Sequence, residues 1–223
     1  MNFPIRNPMN HNHTLCYDSS YRGFPLWSQH APYIEGDLSR LYATMKRSLE
    51  EHNRTLAVRF DLKVPLAGMP PHRVSPMEDF FRIINRKVKT KYENEKKLKP
   101  YPHKCTVRYA QKVEQSVQSP YEHYHVVLFV SNDMFMRVGH LGPDDDSQLA
   151  VIIKEAWHNV VGVDENTTEY LIHGSTPSYY RLQGPLNYFD PDHQKAFRHF
   201  SYLCKEKTTL YRRGRPAFTT SRK

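Results

Sequence analysis

Residues 121–130 read Tyr-Glu-His-Tyr-His-Val-Val-Leu-Phe-Val, a run that predicts a β-strand buried on at least one face. Because side chains alternate along a strand, His123 and His125 point to one face, about 7 Å apart along the backbone, while Tyr124 points to the other. Two imidazoles on one face can share one metal ion. With 13 His in the chain such a pair also arises by chance, and a partly exposed strand with two unrelated His is the alternative interpretation.

The segments around this strand follow strand and helix patterns in turn. Residues 56–64 place apolar side chains at every second position with charged ones between them, which is the clearest strand pattern in the chain. Ser75-Pro76-Met77-Glu78 is typical of a helix start, with Ser as N-cap and Pro in the first turn. The other predicted helices cover residues 34–52, 148–161 and 190–206, another strand is predicted over 104–112, and one or two short strands are predicted over 169–182.

The order β, α, β, β, α, β, α predicts an α+β fold in which helices pack on one central antiparallel β-sheet. The chain has 223 residues, a length that suits one domain with extensions. We therefore predict a single domain over residues 34–206. An irregular leader over residues 1–33, which could pack onto the domain as a strap, precedes it, and a basic tail over residues 207–223 follows it.

The charge balance indicates an anionic partner. The chain has 32 Lys and Arg against 23 Asp and Glu, a formal net charge of +9. The basic residues occur in clusters, which favours nucleic acid over an unspecialised basic surface, because clustered cations neutralise phosphates and release counterions. The candidate DNA contacts are Arg82, Arg86, Lys89, Arg108, Arg198, Arg212, Arg213 and Arg215.

Cysteine usage and hydropathy indicate the compartment. The chain has three Cys, far apart and without a Cys-x-x-Cys motif, which is typical of a reducing environment. No apolar run approaches the length of a membrane span, and the N-terminal residues lack the apolar core of a signal peptide. We therefore expect a soluble, cytoplasmic protein without a membrane partner.

A carboxylate near the histidine pair supplies a third candidate metal ligand. Glu114 lies nine positions before His123, near the end of the preceding predicted strand. If the two strands form an antiparallel hairpin, this carboxylate reaches the same cation and leaves positions open for water or a phosphate oxygen. Glu122 also adjoins the pair, but strand alternation turns it away with Tyr124, so Glu114 is preferred.

A metal site beside basic side chains suggests chemistry on a phosphodiester, which needs a nucleophile. Tyr202 and Lys205 are three residues apart in the last predicted helix, on its exposed face, opposite the apolar positions. A nearby ammonium or metal ion would favour the phenolate, so Tyr202 is the candidate nucleophile. The alternative is an ordinary surface Tyr–Lys pair, since the chain has 15 Tyr.

Together these motifs resemble those of the HUH endonuclease superfamily, which includes rolling-circle replication initiators and relaxases. A His-hydrophobic-His strand, an acidic ligand on the neighbouring strand and a later Tyr-x-x-Lys occur here in the expected order. Within that superfamily the chain is similar to the inovirus replication-protein-like, or YagK/YfjJ C-terminal-like, family. This closer similarity is carried by Arg108-Tyr109, Glu114, His123-Tyr124-His125, Asn132-Asp133, Gly139, Trp157 and the terminal run over residues 215–222.

The resemblance implies nicking and joining of single-stranded DNA in a phage or mobile element. A divalent metal held by His123, His125 and Glu114 would polarise the scissile phosphate. Tyr202 would attack it to form a 5′-phosphotyrosine, and Lys205 would stabilise the developing charge or lower the pKa of the tyrosine. The resemblance implies Mg²⁺ or Mn²⁺, whereas the ligand types alone would suggest zinc.

The implied partner is a single-stranded DNA origin. The sequence has no Gly-x-x-x-x-Gly-Lys-Ser/Thr motif, so unwinding would fall to a host helicase and replication proteins. Two other functions stay open at this point. One is a DNA-binding regulator or accessory protein of a mobile element without catalysis, and the other is a zinc-stabilised structural domain.

Overall fold

The computed structural model describes residues 4–70, 75–115, 121–136, 138–139, 141, 145–164, 167–168, 170–211 and 214–221. Five short strands lie before the first helix: β1 (Ile5–Asn7), β2 (Asn10–Cys16), β3 (Ser20–Tyr21), β4 (Phe24–Pro25) and β5 (Tyr33–Ile34). The main strands are β6 (Arg54–Lys63), β7 (Arg108–Gln115), β8 (Glu122–Ser131), β9 (Ile172–Gln183) and β10 (Phe218–Thr220).

Four helices with defined bounds accompany these strands in the described part of the chain. They are α1 (Glu35–Glu51), α2 (Pro76–Leu98), α3 (Gln148–Val161) and α4 (Pro191–Phe200), and α4 continues into a 3₁₀ turn over Ser201–Cys204. Among the described residues, no helix combines the length and the apolar character needed to cross a membrane.

The central sheet has five strands in the order β10-β7-β8-β6-β9, and every neighbouring pair is antiparallel. This arrangement confirms the predicted α+β fold with helices packed on a central antiparallel sheet. The predicted hairpin of β7 and β8 is present. Strand β8, which carries the two histidines, pairs with β7 on one side and with β6 on the other, and β6 also pairs with β9. The histidine strand is therefore the middle strand of the sheet.

The two faces of the sheet bury separate hydrophobic cores. On one face, Leu56, Val58 and Tyr124 pack against the apolar sides of α2 and α3, including Trp157. Ala57 and the next odd positions of β6 point to the other face, because side chains alternate along a strand. That second face packs against α1, α4 and the short N-terminal strands. The interior strands β6 and β8 are consequently covered on both sides.

The structure corrects the two predicted extensions. The segment predicted as an irregular leader over residues 1–33 contains β1 and β2, which form a three-stranded antiparallel sheet with β5 at its end. The predicted tail over residues 207–223 includes β10, which pairs with β7 as the edge strand of the main sheet. Both segments are built into the packed structure by pairing with distant residues, a feature that local composition does not reveal.

Three predicted boundaries also differ from the structure. The strand predicted over residues 104–112 begins at Arg108 and runs to Gln115. Where the sequence predicted one or two short strands over residues 169–182, the structure has one strand, β9, over Ile172–Gln183. The last helix ends at Phe200 rather than near residue 206, so Tyr202 lies in the 3₁₀ turn.

Asp190 caps the helix that leads to this turn. Its carboxylate accepts hydrogen bonds from the backbone N–H groups of Asp192 and His193, at 2.8 and 3.0 Å. These bonds, the one from His193 first, hold the pKa of Asp190 below its usual value. The cap satisfies N–H groups that have no partner inside the helix.

We expect Asp190→Ala to lower the free energy of unfolding by about 1 kcal/mol, the usual cost of losing an N-cap. Asp190→Asn should retain most of that stability, because its amide oxygen can accept the same bonds. Since the folded pKa is depressed, the stabilisation by the charged form is present above the unfolded pKa and is lost as pH falls through the folded pKa. Urea unfolding of the three proteins at neutral and acidic pH measures this. Equal stability of wild type and Asp190→Ala would show that the cap contributes nothing.

Candidate metal centre

Antiparallel pairing brings the three predicted ligands together. Glu114 on β7 is the register partner of His123 on β8, and His125 lies on the same face of β8. The Oε2 atom of Glu114 is 3.1 Å from Nε2 of His125 and 3.7 Å from Nε2 of His123. These three side chains are the group among the described residues that could hold a metal ion, with ligand atoms within 4.8 Å of one another.

The spacing of these atoms suits a divalent ion. Two ligand atoms that each lie about 2.1 Å from one ion, at tetrahedral or octahedral angles, are about 3.0–3.4 Å apart. The Glu114–His125 separation of 3.1 Å lies within that range, and the Glu114–His123 separation of 3.7 Å lies slightly above it. Glu114 and His125 are buried and His123 is partly exposed, so the group is open to solvent on the His123 side. The residues present therefore fit a metal ion with an open position.

Asp61 on β6 orients one of the two imidazoles. It is the register partner of His125, whose Nδ1–H donates to the Asp61 Oδ1 at 2.5 Å. Burial alone would lower the pKa of His125, but its bonds to Asp61 and Glu114 outweigh burial and raise it. Because Nδ1 is committed to Asp61, Nε2 is the atom left for a metal ion, which takes the place of a proton there.

Glu114 joins the metal ligands to the segment that carries the candidate nucleophile. Its Oε1 atom accepts a hydrogen bond from the Thr208 hydroxyl at 2.5 Å and lies 3.4 Å from Nζ of Lys205. Burial raises the pKa of Glu114, but the bonds to His123, His125 and Thr208 outweigh burial, so the pKa lies far below its ordinary value. The carboxylate is therefore ionised and available as a ligand.

Tyr202 lies against the ligand group. The centroid of its ring is 5.4 Å from the centroid of His125, with the two rings nearly perpendicular. The Lys205 ammonium lies 3.4 Å from the ring centroid, and the Arg59 guanidinium carbon 4.7 Å from it. The side chain is half-buried rather than exposed as predicted. The structure thus brings together all three candidate ligands, Tyr202 and Lys205.

Lys205 is buried, with 6% of its surface exposed, and not on an exposed helix face as the sequence predicted. Its position follows from Lys112 on β7, a fully buried residue. The Lys112 ammonium donates to the Lys205 carbonyl oxygen at 2.9 Å and to the Thr209 hydroxyl at 2.5 Å. Burial lowers the pKa of Lys112, and nearby Asp37 opposes that shift. Lys112 therefore fixes the end of the 3₁₀ segment to the sheet.

The N-terminal segment forms another wall of this site. The backbone N–H of Glu206 donates to the Pro32 carbonyl oxygen at 2.9 Å, and Tyr33 forms a β-bridge with Lys205. The His30 ring lies 5.0 Å from the Tyr202 ring, in an edge-to-face arrangement. Sequence analysis missed this wall, because its residues show no periodic pattern and are far from Tyr202 along the chain.

Arg59 and Asp61 were also missed as functional candidates. Both alternate with apolar residues on β6, where the sequence pattern placed them on the face opposite the apolar side chains and assigned them no role. Arg59 is buried in the structure, donates to the His199 carbonyl oxygen at 2.9 Å and has no partner for its Nε atom among the described residues. One signal could have identified them: charged side chains on an interior strand of a sheet are costly to bury, so their presence on β6 indicates a functional role.

The candidate DNA contacts do not share one surface. Arg82, Arg86 and Lys89 are exposed on α2, which packs on the face of the sheet opposite the metal ligands. Arg108 is buried and makes a two-pronged ion pair with Glu51, so it is not available to DNA. The remaining candidates are Arg198, which stacks over Trp27 at 3.7 Å, the exposed Arg215, and Arg212 and Arg213, which lie outside the described residues.

Comparison with known families finds one described as the YagK/YfjJ C-terminal domain, whose model matches residues 18–221. The matched range begins before β3 and ends after β10, so it covers the ligand group and Tyr202. Neither a search of curated proteins nor a search of solved structures finds a significant match.

We expect Asp61→Ala to weaken Mn²⁺ binding by about 10- to 100-fold, the usual effect of removing the residue that orients a ligand histidine. Asp133→Ala is a matched control, because Asp133 forms an ion pair with Arg54 at 2.6 Å outside the ligand group. Isothermal titration with Mn²⁺ measures both variants. Unchanged affinity in Asp61→Ala, together with lost affinity in His123→Ala, would show that Asp61 does not support the ligands.

Proposed function

The chain belongs to the family of the YagK/YfjJ C-terminal domain, and we propose that it nicks and joins single-stranded DNA as an inovirus-like member of the HUH endonuclease superfamily. One observation carries this proposal. The ring of Tyr202 lies 5.4 Å from the ring of His125. His125 belongs to a group of two imidazoles and one carboxylate that suits a divalent ion. A nucleophile beside such a ligand group is the arrangement that phosphodiester cleavage requires.

In the proposed reaction, the Tyr202 oxygen attacks the phosphorus of the scissile phosphodiester. A P–O bond from the tyrosine oxygen to phosphorus forms, and the bond from phosphorus to the 3′ oxygen breaks. The tyrosine hydroxyl loses one proton, and the leaving 3′ oxygen gains one to become a 3′-hydroxyl, so the step is balanced. A Mg²⁺ or Mn²⁺ ion bound by Glu114, His123 and His125 would supply Lewis-acid polarisation of a phosphate oxygen. Joining is the reverse attack of a 3′-hydroxyl on the phosphotyrosine.

Two buried cations beside Tyr202 account for charge stabilisation. The ammonium of Lys205 and the guanidinium of Arg59 both lie on its ring, and Arg59 retains an unpartnered Nε among the described residues. A phosphate reaching Tyr202 would therefore meet positive charge that is already in place. Preorganised charge in a water-poor site stabilises a transition state more than charge in bulk solvent.

The proposed substrate is an unpaired strand from a replication origin of a phage or mobile element. Aromatic side chains near the site offer stacking surfaces for bases, and the stacked pair of Trp27 and Arg198 lies on the same side of the sheet as Tyr202. We expect the protein to act in the cytoplasm with a host helicase, since the sequence has no nucleotide-hydrolysis motif of its own.

We expect Tyr202→Phe to fold, to bind Mn²⁺ and to bind DNA like wild type, and to form no covalent protein–DNA adduct. The change removes the oxygen that must attack phosphorus and keeps the ring packed among its neighbours. Incubation with circular single-stranded DNA carrying the element's origin, followed by denaturing electrophoresis, measures the adduct. Tyr180→Phe is the control, because Tyr180 also lies near Arg59 and bonds to His199 at 3.2 Å.

An adduct formed by wild type but mapped by mass spectrometry to Tyr179, Tyr180, Tyr188 or Tyr211 would show that the nucleophile is wrong while the reaction class stands. No adduct from wild type with either metal on that DNA would favour a DNA-binding regulator without catalysis.

We expect DNA affinity to fall steeply with salt, since each neutralised phosphate adds about 0.7 to the slope of log K against log salt on a single strand. Arg198→Gln should reduce that slope by about 0.7, because Arg198 lies on the side of the sheet that carries Tyr202. Lys89→Gln, on the opposite side, should leave the slope unchanged. Fluorescence anisotropy with a labelled oligonucleotide measures both, and the reverse pattern would place the DNA on α2.

A further inference from the structure

Two aromatic side chains, Tyr188 and Phe189, project from the loop between β9 and α4 and are called the aromatic pair below. Tyr188 has 45% and Phe189 73% of its surface exposed, although the ring centroids are only 4.1 Å apart. Single exposed apolar side chains are common, whereas adjacent exposed rings form the kind of apolar patch that marks an interaction site. Because most of the Phe189 surface is accessible, its ring can still stack with a partner.

The loop is braced, so these rings are held in place without being buried. The Phe189 N–H donates to the Asn187 carboxamide oxygen at 2.9 Å, and the Gln194 amide donates to the Tyr188 carbonyl oxygen at 2.7 Å. A β-carbon added to Gly23 would lie 2.8 Å from Cγ of the Tyr188 ring, so the turn between β3 and β4 approaches this ring closely. A rigid loop that presents exposed rings binds a flat partner without a further ordering cost.

The aromatic pair lies at one end of the side of α4 that leads to Tyr202. Gln194, Arg198 and Tyr202 follow one another at intervals of four residues, the spacing that keeps side chains on one side of a helix. Since Gln194 bonds to Tyr188, this side begins at the aromatic pair. The ten residues of α4 span about 15 Å. A single strand that reaches Tyr202 therefore has the aromatic pair within a few nucleotides of its reacting phosphate.

The N-terminal segment runs along the same side of α4. Three contacts join the two segments, and they occur in chain order on both: Gly23 with Tyr188, Trp27 with Arg198 at 3.7 Å from guanidinium carbon to ring centroid, and His30 with Tyr202 at 5.0 Å between ring centroids. The two segments thus form one continuous surface from the aromatic pair to the proposed nucleophile.

Cations accompany the rings along this surface. The exposed Arg22, in the turn that approaches the aromatic pair, has its guanidinium carbon 4.7 Å from the centroid of the Tyr42 ring. Of the two carboxylates at the start of α4, Asp190 caps the helix and Asp192 lies 3.5 Å from the Lys195 ammonium. Rings that alternate with guanidinium groups match the alternation of bases and phosphates along a nucleic acid strand.

We infer that the aromatic pair stacks with an unpaired base of single-stranded DNA, and that Arg22 contacts the phosphate beside that base. Proteins that bind single strands without sequence preference combine a basic groove with aromatic rings on which bases stack. The choice of DNA as the strand rests on the proposed function. The aromatic pair adds a second point of attachment, away from the metal ligands, that holds the strand while its phosphate lies at Tyr202.

Fluorescence anisotropy without added metal tests this with two labelled decamers, a decathymidine and a strand of abasic sites that carries the same phosphates. Phe189→Ala should weaken decathymidine binding by about 5- to 150-fold, the usual range for losing one stacked base, and should leave binding of the abasic strand unchanged. Phe189→Trp should bind like wild type, because it keeps an aromatic face. Tyr101→Ala is the matched control, since Tyr101 is 88% exposed after α2, and it should change neither affinity.

Arg22→Gln should weaken binding of both decamers and lower the slope of log K against log salt by about 0.7, because it removes a phosphate contact rather than a base contact. This pattern differs from that of Phe189→Ala. An unchanged slope would show that Arg22 does not contact the strand.

Wild-type affinity of Phe189→Ala for decathymidine would overturn the stacking site, whether or not the protein nicks DNA. The same result, together with a wild-type dimer that Phe189→Ala converts to a monomer in sedimentation, would identify the aromatic pair as an interface between two copies of the chain. Ring-dependent binding of decathymidine by a protein that forms no covalent adduct would support the stacking site and remove the nuclease.

Discussion

The organisation of this protein depends on one buried carboxylate, Glu114. Burying an ionised carboxylate costs several kcal/mol unless opposite charge and hydrogen bonds compensate it. Here the compensation comes from two imidazoles on β8, the Thr208 hydroxyl and the Lys205 ammonium. The same contacts that make burial tolerable tie the hairpin of β7 and β8 to the segment after α4. The proposed metal ligands and the proposed nucleophile are therefore held by one anchor.

Much of the ligand group could be predicted because it depends on local rules. Alternation along β8 places His123 and His125 on one face, and the hairpin brings Glu114 opposite His123. The same local rules do not identify Asp61. It contacts His125 only because β6 pairs with the edge of β8 opposite β7, and the sequence does not show which strand takes that place. The alternation along β6 placed Arg59 and Asp61 on one face of the strand, but it did not show that this face is covered and lies beside the ligand group.

The surroundings of Tyr202 were harder to predict for a different reason. The sequence predicted a helix that continues to residue 206, which would place Lys205 on an exposed face. In the structure α4 ends at Phe200, and the 3₁₀ turn that follows changes the direction in which the side chains point. The burial of Lys205 also depends on Lys112 and on the bridge with Tyr33, which are distant in sequence. Such contacts arise from tertiary packing and leave no periodic signal in the chain.

The sheet separates two chemical environments: the ligand group with Tyr202 on one face, and α2 with its basic side chains on the other. The central claim is that strand pairing on the first face builds a divalent metal site beside Tyr202. Anomalous diffraction at the manganese edge, from crystals grown with Mn²⁺, tests it most directly. The account predicts one strong peak bonded to Glu114 and to Nε2 of both His123 and His125, next to the Tyr202 ring. A manganese peak elsewhere with none between these three side chains would contradict it.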